Sequence, residues 1–113
     1  RYRSALEALM WRAPRTVLLC GSCGLELLID LRLDPSSLRR AVQFAFGPVA
    51  RSRPSCQYVL LQGRRDWLSR LYHSRAHHQV DCGHLDYLER EEVLQLCEQL
   101  ICRVVADLAR QGE

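Results

Sequence analysis

Hydrophobic and polar positions alternate most regularly between Leu25 and Leu33. Leu25, Leu27, Ile29, Leu31 and Leu33 fall on one side and Glu26, Asp30 and Arg32 on the other, with Leu28 the exception. A period of two is the pattern of a half-buried strand. Just upstream, Thr16-Val-Leu-Leu-Cys20 is apolar after its threonine and has the composition of another strand. Gly21, Ser22 and Gly24 between the two runs supply turn chemistry. Thr16–Leu33 is therefore expected to be a β-hairpin against which the remaining elements pack.

The other periodicities are helical or short. Residues 1–12 form an expected helix: Ser4 and Glu7 have capping-box spacing, Tyr2, Leu6, Leu9 and Met10 make a stripe, and Ala13-Pro14 stops it. Trp11 falls off the stripe and reads as a contact residue. Asp34 is a natural N-cap and Pro35 suits a first helical position. Leu38, Ala41, Val42, Ala45 and Phe46 then recur at helical spacing up to Gly47-Pro48, so a second helix is expected to run from Asp34 to Phe46. Cys56–Gln62 reads as a third strand. Arg64–Arg75 fits either a helical turn or a fourth strand, His77–Cys82 a short strand, and Tyr87–Ala109 a long helix.

The expected fold is thus an α+β domain over residues 1–113: helix, β-hairpin, helix, one to three further strands and a long C-terminal helix. Its sheet should be largely antiparallel, with helices packed on it. This order of elements is similar to that of roadblock and longin-type modules.

Composition adds little. A chain of 113 residues makes one domain, and its opening Arg-Tyr-Arg-Ser, without Met, suggests a domain of a larger protein. No apolar run reaches the roughly 20 residues that span a bilayer. All sixteen basic residues are arginines, yet the net charge is only +3. Six cysteines could frame disulfides, but Cys97 lies in a helical apolar register and Cys20 on a strand. They read better as free thiols of a reducing compartment, cytoplasm or nucleus.

Three groups of residues carry candidate chemistry. Cys20 and Cys23 form a C-x-x-C pair that zinc could use with His78 and Cys82 as further ligands; His73, His77 and His84 lie nearby in sequence. The second pair has no standard spacing, so the expectation is a turn flanked by packed cysteines and no cofactor. Arg51, Arg53, Arg64 and Arg65 could form one basic edge beside Trp67 and grip a nucleic-acid backbone. The third group overlaps the first. Cys20-x-Ser22-x-Gly24 after an apolar strand resembles the nucleophile elbow of α/β-hydrolases. Leu60-Leu-Gln-Gly-Arg-Arg-Asp66 and Gly83-His84 resemble that family's acid and base segments in the same order. The resemblance implies a Ser22–Asp66–His84 triad. It departs from the family in having Cys20 where glycine is usual, an alternating run where a helix should begin, and little chain for a parallel sheet.

The C-terminal helix has a wide apolar arc centred on Leu100, with Val93, Cys97 and Val104. Leu94, Ile101 and Val105 at its rim exceed what a one-sided helix needs. The function expected from sequence is a non-enzymatic protein-interaction module or subunit of an intracellular complex. It would present Leu94, Ile101, Val105 and Trp11 to a protein partner or a second copy. A basic nucleic-acid-binding domain is the alternative, and the hydrolase-like triad comes third.

Overall fold

The computed structural model describes residues 2–73 and 75–112. Arg1 of the expected first helix, Ser74 and Glu113 lie outside the described residues. In chain order the elements are α1 (Tyr2–Met10), β1 (Thr16–Gly21), α2 (Gly24–Leu31), α3 (Pro35–Leu38), β2 (Ala41–Phe46), β3 (Gln57–Gly63), α4 (Trp67–Tyr72), β4 (His78–Val80) and α5 (Glu91–Gln111). A single 3-10 turn at Tyr87–Glu89 precedes α5.

The four strands form one sheet in the order β1-β2-β3-β4, and every pair is parallel. The expected antiparallel hairpin does not exist. Thr16 pairs with Ala41 and Gly21 with Phe46, so the partner of β1 lies beyond a helical crossover. Residues 25–31 belong to α2 because Leu25, Leu28 and Ile29 fall on one helical face, where they pack with Cys20, Ala45 and Leu60. Leu28, which broke the period of two, is required by the period of 3.6. Leu27, central to the strand reading, is 62% exposed.

The expected helix from Asp34 to Phe46 is also corrected. It stops at Leu38, and Ala41–Phe46 is the strand β2. β2 lies between β1 and β3 and is covered on both faces, so all but Phe46 of its residues are buried. A strand buried on both faces loses the alternation that would distinguish it from a buried helix.

Side-chain parity divides the sheet. Val17, Val42, Phe44, Phe46, Val59, Leu61 and Val80 face α5 and meet Val93, Leu100 and Val104. Leu18, Cys20, Ala45, Tyr58 and Leu60 point to the opposite face, towards α2. Met10 of α1 closes that side with Leu33, Leu38 and Ala41. Thus α5 covers one face while α1, α2 and α3 cover the other. Trp11 lies against this second layer, its ring beneath the Arg40 guanidinium at 3.7 Å and its indole N–H donating to Ser37 Oγ at 3.1 Å.

The loop after β2 turns at Gly47, whose φ of 58° is left-handed. A Cβ there would come within 2.6 Å of the Tyr87 ring and 2.7 Å of Asp66 Oδ2. Only glycine supplies both the conformation and the space. Among the described residues no helix is long and apolar enough to cross a membrane.

α5 holds one whole face of the core, so its inner and outer positions should respond differently. Leu100, 4% exposed, is expected to lose about 2–5 kcal/mol of stability on truncation to Ala. Ile101→Asp, at a position 43% exposed, should change stability by less than about 0.5 kcal/mol. Urea unfolding of the two variants checks the assignment; equal losses would place Ile101 in the core.

Candidate active site

Parallel strands bring their C-terminal ends to one rim of the sheet, and three polar residues separated in sequence meet there. Ser22 follows β1 directly, Asp66 lies three residues past β3, and His84 follows the short β4. Loops at such a rim sit on a rigid scaffold, which suits a site.

Ser22 occupies the turn between β1 and α2 with φ at 52°. A serine in the left-handed region is strained by about 1–3 kcal/mol and persists only where neighbours hold it. Here the Ser22 N–H donates to the Phe46 carbonyl at 3.3 Å, and the Ser22 carbonyl accepts from the Val49 N–H at 3.0 Å. The strand-to-helix turn also brings Gly24 back over Cys20. A Cβ at Gly24 would stand 3.6 Å from the Cys20 Cβ, which is ordinary contact. The turn therefore has room for a Cβ at position 24 beside the one that Cys20 already carries.

His84 bridges the other two residues. Its Nδ1 lies 2.9 Å from both Oδ1 and Oδ2 of Asp66. An ionised carboxylate only accepts, so Nδ1 carries the proton and Nε2 is left as an acceptor. Nε2 is 2.9 Å from Ser22 Oγ, so the serine hydroxyl donates to it. Every donor and acceptor in the chain Ser22–His84–Asp66 is thus matched in direction.

Asp66 is wholly buried and saturated with donors. Oδ1 accepts from the Ser69 N–H at 3.0 Å, which caps α4, and Oδ2 accepts from the Tyr87 hydroxyl. Tyr87 Oη in turn accepts from the Gly63 N–H at 2.7 Å. Burial alone would raise the Asp66 carboxyl, but the hydrogen bonds from Ser69, Tyr87 and His84 outweigh it and hold the group below the usual carboxylate range. Burial, and then the hydrogen bond to Asp66, push the Tyr87 phenol far up, so it stays a donor. α4 is fixed beneath by Ser69 Oγ, which donates to the Pro48 carbonyl and accepts from the Gln62 amide. Tyr87 and Ser69 were not singled out from sequence. Asp66-x-x-Ser69 has N-cap spacing, and that signal was available.

The Ser22 side chain also stands at the start of α2, whose first backbone N–H groups have no intrahelical partners. Cys23 makes no side-chain cap there. Those donors and the positive end of the helix dipole therefore lie next to Ser22 along the chain. Chemically, the arrangement can accept a proton from the Ser22 hydroxyl at His84 Nε2 and hold the resulting imidazolium against a buried carboxylate.

The remaining candidates do not converge. Cys20 is buried in β1, while Cys82 follows β4 at the other edge. Three strand spacings of roughly 4.8 Å separate the two. Cys23 is exposed, His78 lies on β4, and among the described residues no three His, Cys, Asp or Glu side chains could hold a metal together. All six cysteines are free thiols. Burial pushes the Cys20 and Cys82 thiols up to about 11. Arg53 sits with Gln57 at the start of β3, whereas Arg64 and Arg65 lie past its end with Trp67. The length of β3, roughly 20 Å, keeps these arginines from forming a single edge. The Arg51 N–H is engaged by Glu26 at 2.8 Å. Leu94, Ile101 and Val105 are exposed along the outside of α5, and Trp11 is about half exposed.

No protein-family model matches the chain, and a search of curated proteins finds no similar sequence.

Tyr87 holds the acid of this array, and a sign follows for pH. A carboxylate held below its ordinary value of about 3.9 contributes stability that is present above that value and lost as pH falls through the lowered one. Tyr87→Phe removes one donor and leaves the Gly63 N–H without its acceptor, at a cost of about 1–3 kcal/mol near neutral pH. The gap between wild type and variant should narrow below about pH 4. Urea titrations at neutral and acid pH measure it; a gap independent of pH would show that Tyr87 does not act through the Asp66 charge.

Proposed function

We propose that this domain is a serine hydrolase acting on carboxylic esters or related acyl bonds. The observation that carries the reading is the continuous hydrogen-bonded line from Ser22 Oγ through His84 to buried Asp66, with the serine on a left-handed strand-to-helix turn. Ser22 Oγ would attack the acyl carbon while His84 Nε2 takes the hydroxyl proton. The tetrahedral oxyanion would form beside the N–H groups that open α2. His84 would then deliver its proton to the leaving alkoxide. A water deprotonated by the same nitrogen would release the acid and restore the serine. Asp66 stays ionised throughout and fixes the imidazole tautomer. Six free thiols suit a reducing compartment.

A fluorophosphonate probe should label the protein, with mass spectrometry placing the adduct on Ser22. Ser22→Ala and His84→Ala should each abolish labelling. Asp66→Asn should lower hydrolysis of a short-chain nitrophenyl ester by orders of magnitude, because the imidazole loses its tautomer control. A folded wild-type protein that neither labels nor hydrolyses the ester would refute the proposal.

A second reading rests on the outer side of α5. Leu94, Ile101 and Val105 lie on one stripe and are exposed, as an interface helix would have them. The proposed occupant is the same stripe of a second copy. Light scattering should then show a dimer that Ile101→Asp converts to a monomer, and a protein monomeric at all concentrations tells against it.

A further inference from the structure

Backbone pairing leaves one edge of the sheet open. β1 stands at the end of the strand order and pairs only with β2. The Thr16 N–H donates to the Arg40 carbonyl at 2.9 Å and the Ser22 N–H to the Phe46 carbonyl at 3.3 Å. Parallel pairing engages alternate residues, so Thr16, Leu18, Cys20 and Ser22 bond towards β2. The N–H and C=O groups of Val17, Leu19 and Gly21 therefore point away from it. Among the described residues no backbone group bonds to them. A row of unpaired groups of this kind is a template for a further strand.

The two edges of the sheet differ in kind. β4 is 3 residues long, and His78 and Gln79 make it polar; a short polar edge resists pairing. β1 has 6 residues, Thr-Val-Leu-Leu-Cys-Gly, with neither charge nor proline, and no bulge interrupts its register with β2. The Arg15 side chain just upstream donates to the Arg40 carbonyl at 3.2 Å, on the β2 side, so it does not guard the edge. Leu19 lies at the middle of the open row. It is 57% exposed, although its neighbour across the pairing, Phe44, is buried.

We propose that the open edge of β1 pairs with the same edge of a second copy, antiparallel, about a two-fold axis at Leu19. The row itself selects this register. With Leu19 opposite its counterpart, Val17 stands opposite the other copy's Gly21, and every outward residue exchanges both hydrogen bonds with another. A slip of one residue would set outward groups against inward ones, and a slip of two would leave a residue at each end unpaired. No like charges meet across the axis, and the exposed Leu19 side chain packs beside its own copy. The pairing is closed: the two four-stranded sheets become one that ends at both sides on the short polar β4, so the exposed apolar edge disappears. This contact is separate from the outer stripe of α5 and independent of the Ser22 chemistry.

Sedimentation of the Ile101→Asp protein, in which the α5 stripe is disabled, tests the edge alone. It should still have twice the 13.1 kDa mass of the chain. Adding Leu19→Pro should make it monomeric with an unchanged circular dichroism spectrum, because that N–H takes no part in pairing with β2 and proline is tolerated at an edge. Leu19→Lys, which would set like charges opposite each other, should have the same effect and serves if proline disturbs β1. Amide exchange supplies a readout of the register: Val17 and Gly21 should exchange more slowly in the Ile101→Asp dimer than in the Leu19→Lys monomer made from it. The proposal is overturned if the Ile101→Asp protein is folded and monomeric up to millimolar concentration. It is also overturned if a folded Leu19→Lys version remains dimeric, or if the Val17 and Gly21 amides exchange equally fast in dimer and monomer.

Discussion

The buried carboxylate of Asp66 is the group on which the rest of this rim depends. It has no solvent exposure, and an ion out of water must be compensated by hydrogen bonds or revert to its neutral form. Compensation comes from three parts of the chain. The Ser69 N–H arrives with α4, the Tyr87 hydroxyl with the turn before α5, and His84 with the loop after β4. The same carboxylate that orients the imidazole therefore caps one helix and anchors the approach to another. Gly47 belongs to this arrangement too, because any side chain there would strike both Asp66 and Tyr87. Removing the carboxylate would disturb the local fold as well as any chemistry, so charge-preserving controls such as Tyr87→Phe are informative.

α5 and β3 were legible in the sequence, and α2 and β2 were not. α5 alternates Val93, Leu100 and Val104 inside with Leu94, Ile101 and Val105 outside, and the arc was visible from spacing alone. β3 also followed from its short apolar run. α2 was misread because Leu25–Leu33 satisfies a period of two nearly as well as 3.6, and Leu28 alone decided between them. β2 was misread because Leu38, Ala41, Val42, Ala45 and Phe46 match a helical face by coincidence, while the strand is covered from above and below. Joining β1 and β2 through helices permits the parallel pairing that the two strands adopt.

The site was legible as three segments in the right order, and its geometry was not. Nothing in the spacing of Ser22, Asp66 and His84 says that they meet; their convergence follows from parallel pairing, which lines up the ends of β1, β3 and β4. The misreading of α2 had hidden it. A strand after Gly24 would have carried the chain back antiparallel to β1, leaving Ser22 at the tip of a hairpin. A helix there puts backbone N–H groups beside the serine. Cys20 in place of a glycine looked like a departure from an elbow, yet even a Cβ added at position 24 would meet the Cys20 Cβ only at ordinary contact distance.

α2 links the two ends of the molecule. Its N-terminus carries the turn that holds Ser22 in a left-handed conformation. Its C-terminus ends at Arg32, which also has φ at 52°. Between them Leu25 is fully buried against the sheet, so the helix has little freedom to move without its core contacts. Packed interiors respond to displacement by shifting whole elements rather than by local yielding. The left-handed turn at Ser22 and the left-handed cap at Arg32 are thus the two ends of one packed helix.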